Sequence, residues 1–218
     1  MALPNVFQIL RSLYLCTCND FKVIIIPHTI IVGVLSALTG GLLTRNDAPS
    51  ALAIWRRLPI VLLWNWINLL VFNIVNQRKA ESIMEDKVNK PWRPIVSGLL
   101  SPQEAQNLII ALIPIGLFIS HHISTLVETL LMLVLTWIYN DLGDGSDHFA
   151  IRNGLNGFAF ALHTYAATLI AANNYISVND TQRIALNSGL QLAVCRCFGC
   201  VHNLIGTRSP RHGWRDDT

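Results

Sequence analysis

Charge is the scarcest thing in this sequence. Only 13% of its 218 residues are Asp, Glu, Lys or Arg, against roughly 25% in soluble domains. That shortage excludes an ordinary water-soluble surface and marks a membrane protein by composition. Tracts of Lys or Arg are missing as well. The formal net charge is only +3, and the basic residues stand beside carboxylates, which argues against nucleic-acid binding. No internal repeat of fixed period and no low-complexity segment occurs. Cysteine is sparse, as Cys16-Thr-Cys18 and Cys195-Arg-Cys197-Phe-Gly-Cys200. A C-x-C-x-x-C spacing inside an apolar run matches no common zinc ribbon or finger, so these read as buried free thiols. Residues 1–20 lack the unbroken apolar run of a cleaved signal peptide, because Gln8, Ser12, Thr17 and Asn19 interrupt it. They read instead as a short amphipathic helix on a membrane surface.

What the chain has in quantity is hydrocarbon: 52% of residues are hydrophobic, with a mean hydropathy of +0.43. About six runs approach the roughly 20 apolar residues needed to cross a bilayer. They lie near 22–44, 54–76, 102–121, 123–141, 152–173 and 183–205. The expected fold is therefore all-α, a polytopic transmembrane helical bundle over 21–205, with a basic polar tail at 206–218. Ser101-Pro102-Gln103-Glu104 reads as the start of the third span: Ser as N-cap, Pro in the first helical position, an acidic first turn. Six spans put the loops 77–101 and 142–151 on one side, with Arg78, Lys79, Lys87, Lys90, Arg93 and Arg152. The other side has Arg45, Arg56, Arg57 and Arg183. Positive residues favour the cytosolic face, so the charged loops should face the cytosol.

The loop after the second span gathers Glu81, Glu85, Asp86, Lys87, Lys90 and Arg93 between nearly uncharged flanks. Carboxylate oxygens are hard ligands that suit Mg²⁺ bridged to substrate phosphates. Lys and Arg neutralise the remaining phosphate charge. A merely charged connector between membrane helices is the plain alternative. A second polar cluster, Tyr139-Asn140-Asp141-Leu142-Gly143-Asp144-Gly145-Ser146-Asp147-His148, closes the fourth span. Aspartates this close repel one another, and a divalent cation relieves the repulsion. A polar turn capping two helices is the alternative there, and it explains Asp147 better than Asn140 or Asp141.

The order of residues carries more than their composition. Asn76-Gln77, then Glu85-Asp86, then Asn89-Lys90-Pro91-Trp92-Arg93-Pro94 and Ser97-Gly98 resembles the first polar signature of the UbiA superfamily of intramembrane prenyltransferases. The resemblance is strongest to a fungal branch that includes membrane-bound terpene cyclases. Tyr139-Asn140-Asp141-Leu142-Gly143, followed by Arg152, Asn153 and Asn156, is similar to the second signature of that branch, and Asp20-Phe-Lys22 fits as well. The resemblance covers roughly residues 20–175. It implies an enzyme, one that binds Mg²⁺ and a prenyl diphosphate, with no nucleic acid as partner. Asn76, Glu81, Glu85, Asp86, Asn140 and Asp141 become the expected catalytic group. The expected metal ligands are Glu81, Glu85, Asp86, Asp141 and Asp144. Lys87, Lys90, Arg93, Arg152 and Asn153 would meet the diphosphate, although Arg152 and the Asn pair suit lipid headgroups equally.

Two departures stand out. Family members carry an Asn-Asp-x-x-Asp-x-x-x-Asp ladder where this chain has Asn76-Gln77 with Glu81, Glu85 and Asp86, so individual ligands stay open. The family fold resembles a bundle of about nine helices, and the expectation here is a C-terminal part that is truncated or altered. The activity implied is ionisation of an allylic diphosphate, with the cation held among Trp64, Trp66, Phe72, Trp137, Tyr139 and Phe158. Transfer to a small aromatic acceptor in secondary metabolism is narrowly ahead of cyclisation of farnesyl diphosphate by a terpene cyclase. A truncated inactive remnant or a carrier is the non-enzymatic alternative. The expected place is the endoplasmic reticulum membrane.

Overall fold

A computed structural model of the protein describes residues 6–35, 50–142 and 149–172, and every regular element among them is helical. The helices are α1 (Val6–Asp20), α2 (Phe21–Val34, wound as a π-helix), α3 (Ala51–Gln77), α4 (Ala80–Asn89), α5 (Pro102–His122), α6 (Leu126–Asp141) and α7 (Phe149–Ala172). Among the described residues, three helices are long and apolar enough to cross a membrane: Ala51–Gln77, Pro102–His122 and Ala150–Ala172. The expected span near 123–141 is helical over the shorter stretch α6; the one near 22–44 is helical over α2, and its residues 36–44 lie outside the described residues. The run near 183–205 lies outside the described residues, as do Asp144, the cysteine trio and the tail.

The apolar surface is turned outward, which is the membrane pattern. Phe118 of α5 is 66% exposed and Trp137 of α6 is 54% exposed, while Asn65, Asn68 and Asn73 of α3 are buried. A soluble bundle would reverse that distribution. In α1, Phe7, Leu10 and Tyr14 recur at helical spacing on the exposed face, and Ser12, Cys16 and Thr17 face inward. The helix is amphipathic, as its sequence implies, with its apolar side turned outward as in an interfacial helix.

α3 is the axis of the bundle, packing against each of the other helices. Ser50 caps it, its side chain accepting from the Ala53 N–H at 3.2 Å. The amides inside it are satisfied locally: Asn65 and Asn68 donate to the carbonyls of Val61 and Trp64, four residues back, each at 2.9 Å. Trp64 donates to Thr129 Oγ1 at 2.9 Å and reaches Ser120 Oγ at 3.1 Å, stitching α3 to α5 and α6. α5 lies close against α3 where Gly116 is buried. A Cβ at that glycine would stand 3.2 Å from Ile67 Cγ2, the small-residue contact that lets membrane helices approach. α5 begins as its sequence implies, with a Ser101/Glu104 capping box.

One expectation changes. The segment 77–101 is not a simple loop, because residues Ala80–Asn89 form α4. Its composition explains this: Ala, Glu, Met and Lys are strong helix formers, and Pro91 then stops the helix. The chain returns through a turn in which Gly98 adopts φ +74°, a conformation that glycine takes without strain.

Candidate functional site: a polar end of the bundle

The connectivity brings one end of six helices together. α1 ends and α2 begins at Asp20–Phe21, α3 ends at Gln77, α5 starts at Pro102, α6 ends at Asp141 and α7 starts at Phe149. The two polar signatures therefore share an end of the bundle, separated in sequence by α5 and α6.

The best-defined part is a buried ion pair. Arg93 Nη1 donates to Asp86 Oδ2 at 2.6 Å, with the two side chains 12% and 5% exposed. Asp86 lies on the inner side of α4, and the turn 90–93 folds back over it, with the Arg93 N–H donating to the Lys90 carbonyl at 3.0 Å. Beside this pair, Asp20 Oδ2 accepts from Asn73 Nδ2 at 2.7 Å, and Gln77 Nε2 donates to the Cys16 carbonyl at 2.9 Å. Asn73 and Gln77 are one turn apart, as are Cys16 and Asp20, so the two bonds clamp the end of α3 to the end of α1. Gln77 Oε1 is buried with no hydrogen-bond partner, an acceptor available to a cation or donor. Ser82 donates to Asn76 Oδ1 at 3.3 Å, orienting that amide.

Burial raises the Asp20 carboxyl above its ordinary 3.8, and the Asn73 hydrogen bond and the charges of Arg93 and Lys90 offset only part of the effect. Lys90 and Arg93, the latter paired with Asp86, are thus within electrostatic reach of Asp20. Burial also pushes the Cys16 thiol up to about 12, so it stays protonated and acts as apolar packing.

The helical form of α4 separates the carboxylates that the sequence strings together. Glu81 and Glu85, four residues apart, share the exposed face, whereas Asp86 is rotated by about 100° into the protein. Lys87 is exposed with them; Lys90 and Arg93 are half-buried. Among the described residues, no three of His, Cys, Asp and Glu come together as a metal cluster. The hard oxygens at this end are few: the carboxylates of Asp20 and Asp86, each with one oxygen already held by Asn73 or Arg93, and the unpartnered Gln77 amide oxygen. That suits an ion such as Mg²⁺, which takes one or two carboxylates and fills its remaining positions with water and phosphate.

At the second signature, Asn140 is buried and donates to the Thr136 carbonyl at 2.8 Å, while Asp141 is exposed. On α7, Arg152 is exposed, and Asn153 and Asn156 are half-buried. Phe72 and Tyr139 meet edge to face at 5.3 Å. Together with Thr136 and Asn156 they line a small cavity of about 20 Å³ between α3, α6 and α7. Of the other aromatics expected in a chamber, Trp64 is buried in its hydrogen bonds, and Trp66 donates to Thr17 at 3.1 Å. Trp137 and Phe158 face outward, 54% and 50% exposed, as interface anchors do.

Asn73 escapes a reading centred on charge. So does a pair deeper in the bundle, His163 Nδ1 with Asn65 Oδ1 at 2.6 Å. The signal for both was the recurrence of Asn65, Asn68 and Asn73 inside an otherwise apolar helix, where polar side chains are costly and face the bundle interior.

These features define a helical membrane protein with a carboxylate, amide and guanidinium site at one end of its bundle. The chain belongs to the UbiA prenyltransferase family, whose family model matches residues 30–202. It is similar to the fumagillin beta-trans-bergamotene synthase of Aspergillus fumigatus, with 25% identity over 161 residues, 74% of this chain and 50% of that protein. The chain therefore spans about half the length of that curated relative. No solved structure matches it.

Proposed function

We propose that this protein is a Mg²⁺-dependent membrane enzyme that ionises an allylic prenyl diphosphate and transfers the prenyl group to a small, aromatic acceptor in secondary metabolism. The observation that carries this reading is the buried Asp86–Arg93 pair, set beside Asp20–Asn73 at the end of the bundle where both polar signatures lie.

Asp20 and Asp86 would hold Mg²⁺ with help from Gln77 Oε1, and the ion would supply charge for the departing diphosphate. Lys90 and Arg93 offer fixed cations to the phosphate oxygens, and Lys87 can reach them from the exposed side of α4. Asn76, oriented by Ser82, presents its amide toward the same end. Glu81 and Glu85 set a negative rim that would attract the cation from solution. Across the opening, Asn140, Asp141, Arg152 and Asn153 would form the second half of the proposed site, and Asp144, outside the described residues, is proposed with them on its sequence position alone. The allylic C–O bond breaks heterolytically and its electron pair leaves with diphosphate, whose growing charge the cations stabilise. The acceptor ring then attacks the allylic carbon and releases a proton to water. Phe72 and Tyr139, already in contact, offer aromatic faces to the cation. The polar end would face the cytosol of an endoplasmic reticulum membrane, where soluble prenyl diphosphates are met.

Similarity to a bergamotene synthase supports a second reading. Here the substrate is farnesyl diphosphate, and its own double bonds attack the cation before a proton is lost. The deciding experiment is diphosphate release from membranes containing the chain, given geranyl, farnesyl or geranylgeranyl diphosphate with and without Mg²⁺ and an aromatic acceptor. Acceptor-dependent release that disappears in Asp86→Ala supports transfer. A cyclic hydrocarbon formed without acceptor establishes the second reading. No release from inserted protein overturns both and makes the chain a non-catalytic relative.

A further inference from the structure

We propose that the cavity between α1 and the first turn of α5 binds the headgroup of a zwitterionic phospholipid bearing a primary ammonium, an ethanolamine phospholipid in chemical terms. The cavity holds about 530 Å³, within the about 300–1,000 Å³ of small-molecule sites. It is separate from the polar site, because neither Asp86 nor Arg93 lines it. Leu100 and Leu108 supply apolar wall, and Arg11, Gln8, Glu104 and Asn107 supply polar groups.

The charge on these walls is balanced, one guanidinium and one carboxylate. The Arg11 fork matches phosphate oxygens. Glu104 already uses Oε2 to accept from the Ser101 N–H at 2.8 Å and the Ser101 hydroxyl at 2.7 Å. A carboxylate offers about four lone-pair sites, so capacity remains for an ammonium. A purely anionic headgroup would satisfy Arg11 and meet repulsion from Glu104. A trimethylammonium has no N–H to donate and is recognised by aromatic faces, and among the described residues no aromatic lines this cavity. A primary ammonium has three donors, matched by the Glu104 carboxylate and by the second lone pair of the Asn107 amide oxygen, which already accepts from Gln103 Nε2 at 3.4 Å.

Depth points the same way. α5 has 21 residues, about 31 Å at 1.5 Å per residue, which equals the hydrocarbon thickness of roughly 30 Å. Its first turn, which forms one wall, therefore stands at headgroup level. The outward Phe7, Leu10 and Tyr14 of α1 place the other wall at the same boundary.

The test uses the full chain, purified and reconstituted in bilayer discs of equal phosphatidylcholine, phosphatidylethanolamine and phosphatidylglycerol. Lipids retained through progressive detergent stripping are counted by native mass spectrometry. The wild type should retain phosphatidylethanolamine about fivefold over either competitor, the upper end of what one exposed charge pair contributes. Glu104→Gln keeps the helix cap, because Gln also serves in a capping box, and should bring ethanolamine and choline lipids to parity. Arg11→Gln should lower retention of all three. Equal retention by the wild type, a preference for phosphatidylglycerol, or an ethanolamine preference that survives in Glu104→Gln would each overturn the assignment.

Discussion

Arg93 closes over Asp86 at 2.6 Å, so the one carboxylate of α4 that turns inward is held by a cation seven residues further along the chain. The pair explains why Asp86 and Glu85, adjacent in sequence, have different surroundings. Removing one partner of a buried pair leaves the other charge uncompensated.

Asp86→Ala should therefore destabilise the protein by about 3 kcal/mol, at the low end for buried pairs because Arg93 keeps some solvent contact. Glu81→Ala and Glu85→Ala, on the exposed face, should stay within about 0.5 kcal/mol of wild type. Thermal unfolding in detergent, followed by circular dichroism, checks the contrast. Equal losses for all three would show that Asp86 is not distinguished by burial.

Asp20 predicts a pH dependence. Its carboxyl is raised, first by burial, above the ordinary 3.8, so the folded protein holds this proton more tightly than the unfolded chain does. In the window just above 3.8 the native state binds more protons, and its stability falls as pH rises through the folded value. Asp20→Asn removes that proton-binding group. The melting temperature of wild type relative to Asp20→Asn should decline as pH is raised from about 4 toward 7, and a gap independent of pH would refute the assignment.

Gly116 sets the approach of α5 to α3. Gly116→Leu should cost about 1–3 kcal/mol by overpacking, since even a Cβ would stand 3.2 Å from Ile67 Cγ2. Ile67→Ala in the same chain should recover part of the loss. Additive losses in the double variant, read from thermal melts, would mean that the two side chains do not oppose each other.

Asn65 and His163 form a polar link within the bundle, with Asn65 Nδ2 already committed to the Val61 carbonyl. Asn65→Leu should cost about 1–3 kcal/mol, because it strands a buried imidazole nitrogen. Asn65→Leu with His163→Phe should be milder than the sum of the single changes. A double-mutant cycle with no coupling would exclude the link.

Much of the site was legible because its chemistry is concentrated. Asp86, Lys90 and Arg93 occur together in a segment between apolar runs, and Ser101-Pro102 with Glu104 announces the start of α5. What stayed hidden was direction. Glu81, Glu85 and Asp86 read as one ligand group until Ala80–Asn89 is seen as a helix, and a helix sends consecutive residues about 100° apart. Asn73 was overlooked because an uncharged amide in a membrane helix looks like a local exception, and its partner Asp20 lies 53 residues away in sequence.

The sequence by itself determined the class of the protein: few charges, long apolar runs and polar signatures at their ends specify helices in lipid, because only internally hydrogen-bonded segments can cross a bilayer. Tertiary structure decided which polar groups work together. Carboxylates, amides and cations become a site only when separate helices end at the same place, and no one-dimensional spacing states that Asp20 meets Asn73 or that Arg93 folds back onto Asp86. Those pairings follow from packing, which removes a few side chains from water and obliges each to find a partner.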